Sequence, residues 1–210
     1  MLKAIIFDLD GVLIDSFESN YRYFKEVFVK AGYKPLSRAE FRKAFHLTLD
    51  DLIDRYVSKG DTKEFRRVYR IAYDLYAIPE TPKAQRGSIA AIKKFAGGYK
   101  LGIVTGRLKE GVDEYFQNFP VRRFFAAVIH HGHYDNPKPH PEPMLLALKR
   151  LKVRPSEAVY IGDALSDIQA ASSAGVGSVL FNDKKIGEPD YRVRNFRELI
   201  RLIDRISGKK

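Results

Sequence analysis

The sequence predicts an α/β fold, a parallel sheet covered by helices on both faces and interrupted after its first strand by an all-helical insertion. Three observations carry this. From residue 84 onward, short apolar runs alternate with segments of helical periodicity, the pattern of a buried parallel sheet. Between residues 15 and 82 no strand-like run occurs, and apolar residues recur at helical spacing. The first apolar run, Ala4-Ile5-Ile6-Phe7, belongs in character with the later strands. The expected division is therefore a discontinuous core, 1–14 with 83–210, and a helical insertion, 15–82, entered so soon after the first strand that it would serve as a lid.

Each element has its own signal. The first strand ends at Asp8, and Gly11 turns the chain. Ser16 to Ala31 is a helix with Phe17, Tyr21, Phe24 and Phe28 on one face, stopped by Gly32. Ser37-Arg38-Ala39-Glu40 is a capping box that opens a second helix. Thr48-Leu49-Asp50-Asp51 opens a third, stopped by Gly60, and Asp61-Thr62-Lys63-Glu64 a fourth that reaches Tyr76 before Pro79 and Pro82. Tyr21, Tyr23, Tyr56, Tyr69, Tyr73 and Tyr76 sit at helical spacing and read mostly as the core of this bundle. Further strands are expected at Leu101–Val104, Ala126–Ile129, Ala158–Ile161 and Ser178–Phe181, with a last helix over Asn195 to Ile206.

Composition narrows the function. With 45% hydrophobic residues and no low-complexity tract, the chain reads as soluble and globular. The N-terminal apolar runs are short and broken by Asp, so neither a signal peptide nor a membrane span is expected. The absence of cysteine excludes a disulfide framework, a thiolate metal site and a Cys nucleophile, and suits a cytoplasmic setting. Lys and Arg total 37 against 26 Asp and Glu, for a net charge of +11. These cations are dispersed along the chain, which favours a solvated basic surface that attracts small anions over a nucleic-acid interface. A small anionic substrate is the expected partner.

In a strand, Asp8 and Asp10 point to the same side, and two like charges need a cation or a shared proton between them. Three more polar groups follow: Thr105-Gly106-Arg107, Lys138-Pro139-His140-Pro141-Glu142, and Gly162-Asp163 through Asp167. Singly, each has an ordinary reading: Asp-Gly is a turn, Thr105 and Asp163 could cap helices, and Lys138 lies in a Pro-rich loop. Jointly they fall where open α/β sheets bind ligands, because Asp8, Thr105 and Asp163 each follow a strand.

These residue types fit phosphoryl transfer. Asp8 can attack phosphorus, and Asp10 can protonate the leaving oxygen and later accept a proton from water. Asp163 adds charge for an oxygen-liganded Mg²⁺, and Asp167, one helical turn on, can join or buttress that set. Thr105 and the Gly106 backbone amide can bond phosphoryl oxygens, Lys138 can neutralise them, and Arg107 can add a contact.

At this point the sequence resembles the haloacid dehalogenase-like hydrolase superfamily, in its phosphoglycolate phosphatase and β-phosphoglucomutase branch. The stretches that carry the likeness are Phe7-Asp8-Leu9-Asp10-Gly11-Val12, the segment Lys138 to Glu142, and Gly162 through Asp167 to Ala174-Gly175. The resemblance implies a Rossmann-like three-layer core, an opening and closing cap, and an aspartyl-phosphate intermediate. It also implies Mg²⁺ held by Asp8, the Asp10 backbone carbonyl, Asp163 and Asp167. Dehalogenases of the superfamily lack an acid at the Asp10 position, because a halide leaves without a proton; Asp10 therefore favours a phosphate ester.

Two departures matter. Gly106 stands where an asparagine often follows the threonine. Asn20, His46 and Leu49 stand where the mutases place a histidine, a glycine and an arginine, which counts against the alternative of a sugar-phosphate mutase. A second alternative, a non-enzymatic phosphate- or nucleic-acid-binding protein on this scaffold, is opposed by the intact Asp8, Asp10, Thr105, Lys138 and Asp163. The loop with His130, His131 and His133 invites a zinc reading, but with only His140 nearby it reads better as a polar loop.

Overall fold

The computed structural model describes residues 1–45, 47–76, 82–182 and 185–208. It divides into two compact units, residues 1–15 with 83–210, and residues 16–82. The chain passes through β1 (Ala4–Phe7) and the short β2 (Ile14–Asp15) into helices α1 (Phe17–Lys30), α2 (Arg38–Ala44), α3 (Leu49–Ile53) and α4 (Thr62–Tyr76). It returns by β3 (Lys83–Ala84) to α5 (Ser88–Ala96), β4 (Lys100–Val104), α6 (Lys109–Asn118), β5 (Phe125–Ile129), α7 (Glu142–Leu151) and β6 (Ala158–Gly162). Then follow α8 (Leu165–Ser173), β7 (Gly177–Phe181), β8 (Tyr191–Val193) and α9 (Phe196–Ile206).

The larger unit is a six-stranded parallel sheet in the order β5-β4-β1-β6-β7-β8. β1 lies in its interior, with Ala4 opposite both Lys100 and Ala158. All four β1 residues are buried because helices cover both faces. Side chains alternate: Ile5 and Phe7 join Ile92, Phe95, Leu199 and Ile203 in one core, while Ala4 and Ile6 join Met144, Ala147 and Leu151 in the other. The expected strands all form, each within a residue or two of its expected ends. The sequence reading missed β8, a three-residue edge strand, and the β2–β3 antiparallel pair at the junctions of the two units.

In the smaller unit Val27, Phe28, Phe41, Leu52, Ile53, Val68 and Ala72 form the core. The Ser37–Glu40 capping box is present, and the Thr48 side chain caps α3. The third helix continues as a π-helical turn, Asp54–Ser58, before the chain turns at Lys59 and Gly60. Asp54 Oδ1 accepts from the Ser58 hydroxyl and the Gly60 amide, which closes that turn. Tyr21, Tyr23, Tyr56 and Tyr69 pack against the core, but Tyr73 is 50% exposed, because it lies on a different face of α4 from the buried Val68 and Ala72. His46 and Pro79 lie outside the described residues. Among the described residues, no helix is long and apolar enough to cross a membrane.

Candidate active site

Ladder hydrogen bonds carry the key residues one step beyond their strands. The Asp8 amide donates to Ile161 O at 2.8 Å, and the Thr105 amide to Ile129 O at 3.0 Å. Both side chains therefore emerge at the carboxyl edge of the sheet, buried and next to Gly162-Asp163 at the end of β6. Gly11, at φ 72°, turns the chain so tightly against the Asp163 carboxylate that any side chain there would overlap it. Gly162 is confined in the same way by the Asp167 side chain.

Lys138 arrives from the loop before α7. Glu142 shapes that loop by accepting from the Asp135 amide and from the Asn136 amide and side chain. The Lys138 ammonium lies 2.5 Å from Asp167 Oδ1, 3.3 Å from Asp8 Oδ1 and 3.1 Å from the Tyr160 hydroxyl. Asp167 is fully buried and its carboxylate is satisfied. Lys138 and the Tyr160 hydroxyl donate to Oδ1, and the Asp163 and Ala164 amides donate to Oδ2. Asp167 thus orients Lys138 and fixes the turn into α8.

Burial pushes the Asp8 carboxyl well above its usual range; Lys138 opposes this, and the charges of Asp167, Asp10 and Asp163 reinforce it. Burial alone would discharge Lys138, but Asp167, Asp8 and Tyr160 outweigh it and hold the ammonium well above its ordinary value. Burial likewise drives the Tyr160 phenol upward, so it stays a neutral donor.

Asp8, Asp163 and Asp167 offer oxygens all within 4.8 Å of one another. A hard divalent cation fits such a set, because it would neutralise the carboxylate charge gathered there. Asp167 already spends its lone pairs on four donors, so Asp8 and Asp163 are the side chains suited to hold the ion and Asp167 is the buttress.

The remaining expected residues take different positions. The Arg107 guanidinium donates through Nε and Nη2 to the two Asp10 oxygens, each at 2.8 Å. Gly106 lies in the bend between Thr105 and Arg107, and Thr105 Oγ1 accepts from the Arg107 amide. The His130 and His133 rings meet at a tilt of 40° with their centres 3.8 Å apart, and among the described residues no metal-ligating group includes them. Sequence reasoning missed Tyr160, a tyrosine inside an otherwise aliphatic strand. It also missed Asn182, whose side chain donates to the Asp163 carbonyl at 2.6 Å. Asn182 follows β7 directly, the same strand-end signal that singled out Asp8 and Asp163.

The buried carboxylate–lysine cluster lies at the carboxyl edge of a parallel α/β sheet, where such folds bind their ligands. The chain belongs to the haloacid dehalogenase-like hydrolase family, whose pattern matches residues 5–181. It is 30% identical to Pyrophosphatase PpaX of Bacillus velezensis, over 96% of each chain. It is 39% identical to a phosphoglycolate phosphatase of Salmonella choleraesuis over 50% of this chain and 44% of that one. Among solved structures, a subfamily IA hydrolase of the same superfamily from Geobacter sulfurreducens is 28% identical and superposes with a TM-score of 0.71, over 96% of each chain. The chain is a hydrolase with named phosphatases among its relatives.

Proposed function

We propose that this hydrolase is a Mg²⁺-dependent phosphatase that cleaves a small phosphorylated metabolite through an aspartyl-phosphate on Asp8. The observation that carries the reading is the Asp8 carboxylate itself, buried at a strand end 3.3 Å from Lys138 and grouped with Asp163 and Asp167. A phosphate monoester is the leading substrate, and the relative named a pyrophosphatase brings in the phosphoanhydride bond.

In the first half-reaction an Asp8 oxygen attacks phosphorus, the phosphorus–oxygen bond to the leaving group breaks, and Asp10 gives that oxygen its proton. In the second, water attacks the aspartyl-phosphate, Asp10 takes the water's proton, and phosphate departs as Asp8 regenerates. Lys138 neutralises phosphoryl oxygens, while Thr105 and the backbone amides around Gly106 bond them. Mg²⁺, held by Asp8, Asp163 and the Asp10 carbonyl, would supply charge neutralisation of the phosphoryl group. Asp10 separates this chemistry from dehalogenation, since an alkoxide needs a proton on departure and a halide does not.

Phosphate release across a metabolite panel tests the reading. The panel spans 2-phosphoglycolate, pyrophosphate, sugar phosphates and nucleoside monophosphates. Turnover should require Mg²⁺, stop with EDTA, and fall by about a thousandfold or more in Asp8→Asn. Undiminished hydrolysis by folded Asp8→Asn would rule out the aspartyl-phosphate.

A further inference from the structure

The Arg107–Asp10 pair presents a mechanical problem. An acid–base residue must point a carboxyl oxygen at the leaving group, yet both Asp10 oxygens are engaged by one guanidinium fork. The two side chains are only 10% and 21% exposed, so the pairing is strong and directional. The Arg107 backbone is pinned, its amide to Thr105 Oγ1 and its carbonyl to the His131 amide. Any release of Asp10 therefore falls to the Arg107 side chain. A largely buried guanidinium that leaves one anion gains by meeting another, since buried charge is costly.

Helix α6 carries a carboxylate within electrostatic reach of both Arg107 and Asp10. Glu114 is partly buried, and its Oε1 is shielded from solvent with no hydrogen-bond partner among the described residues. A buried carboxylate oxygen in that condition calls for an explanation. Burial raises the Glu114 carboxyl, the Arg107 charge lowers it and the Asp10 charge raises it, so the three groups share one electrostatic field.

We propose that Arg107 and Glu114 are positioning residues for Asp10. Arg107 grips Asp10 in the substrate-free molecule and passes to Glu114 when Asp10 turns to the leaving oxygen. This rests on Asp10 being the acid–base residue of the proposed reaction. Glu114 touches neither substrate nor the reacting atoms; it acts by receiving Arg107.

The test compares kcat/KM for an alkyl phosphate, 2-phosphoglycolate or another that the panel shows to be hydrolysed, with that for p-nitrophenyl phosphate. kcat/KM follows the reaction through the first irreversible step, transfer to Asp8, and only the alkyl leaving group depends on a proton. The ratio of the two is independent of the fraction of folded protein. Glu114→Gln should lower the alkyl-to-aryl ratio about tenfold, a part of the usual general-acid contribution. The double variant Arg107→Ala/Glu114→Gln should return to the ratio of Arg107→Ala alone, because without Arg107 there is nothing to receive. An unchanged ratio in Glu114→Gln, or effects that simply multiply in the double variant, would overturn the proposal. Asp10→Asn keeps the two levels apart: it must lower the ratio if Asp10 is the acid, and if it does not, the reading of Asp10 fails whatever Arg107 does.

Discussion

Strands β1 and β6 hold carboxylates at both ends, in opposite conditions. At the amino end Glu157 accepts from the Lys3 ammonium at 2.7 Å, the Arg154 guanidinium at 2.9 Å and the Arg154 amide at 3.0 Å. Those donors, the Arg154 side chain first, pull its carboxyl down to about 2. At the carboxyl end burial drives Asp8 upward, and Asp167, Asp10 and Asp163 add to the rise against Lys138. One end is electrostatically finished and the other holds excess negative charge. The sheet is fastened at one edge and kept reactive at the other, the familiar trade of stability for activity.

The largest expected effect comes from sharpening the imbalance. Lys138→Met leaves Asp8 and Asp167 facing each other without the ammonium, and should abolish detectable turnover. It should also cost about 3–5 kcal/mol in denaturant unfolding, the usual penalty for breaking a buried ion pair. Equal stability would show that the carboxyl end carries no excess charge.

Adding the cation should act in the opposite direction. Saturating Mg²⁺ should raise the melting temperature by about 5 °C, and Asp8→Asn or Asp163→Asn should remove that gain. An acid raised by folding keeps its proton where the unfolded chain loses one, so the metal-free protein should lose stability as pH climbs past the ordinary Asp value of 3.8. Because a proton on Asp8 competes with the cation, the Mg²⁺ shift should grow with pH. A shift that shrinks as pH rises would break the comparison.

At the amino end the sign reverses. Glu157 is depressed from 4.5 to about 2, so its contribution is complete above 4.5 and vanishes as pH falls toward 2. Melting curves of wild type and Glu157→Gln should therefore be separated at neutral pH and converge in acid, with unaltered hydrolysis. The smallest effect belongs to a site away from both ends. The Tyr115 hydroxyl is buried without a hydrogen bond among the described residues, so Tyr115→Phe should leave the melting temperature unchanged or slightly raised. A drop would mean that this hydroxyl has a partner after all.

The site was legible where polar residues interrupt apolar runs at strand ends, as at Asp8, Thr105 and Asp163. It was illegible where a partner lies far off in sequence. Asp10 and Arg107 are separated by 97 positions and meet only because adjacent strands deliver both turns to one edge. Tyr160 was hidden for another reason: within β6 a tyrosine reads as core, and nothing local reveals that its hydroxyl meets Lys138 and Asp167. Of the fold, the core strands and capped helices were legible from periodicity and capping chemistry. The three-residue β8, paired only to β7, offered no periodicity to detect, and the π-helical turn at Asp54–Ser58 has no compositional signature.

The interior position of β1 also orders events during synthesis. Ala4–Phe7 is made before both of its neighbours in the sheet, residues 100–103 and 158–161. The whole helical unit and most of the sheet must emerge before both edges of that strand are paired. Asp8, made well before those partner strands, is thus set in place only after them. A truncated or stalled chain would carry Asp8, the proposed nucleophile, without Lys138 and Asp163 beside it, so an incomplete chain would also be an inactive one.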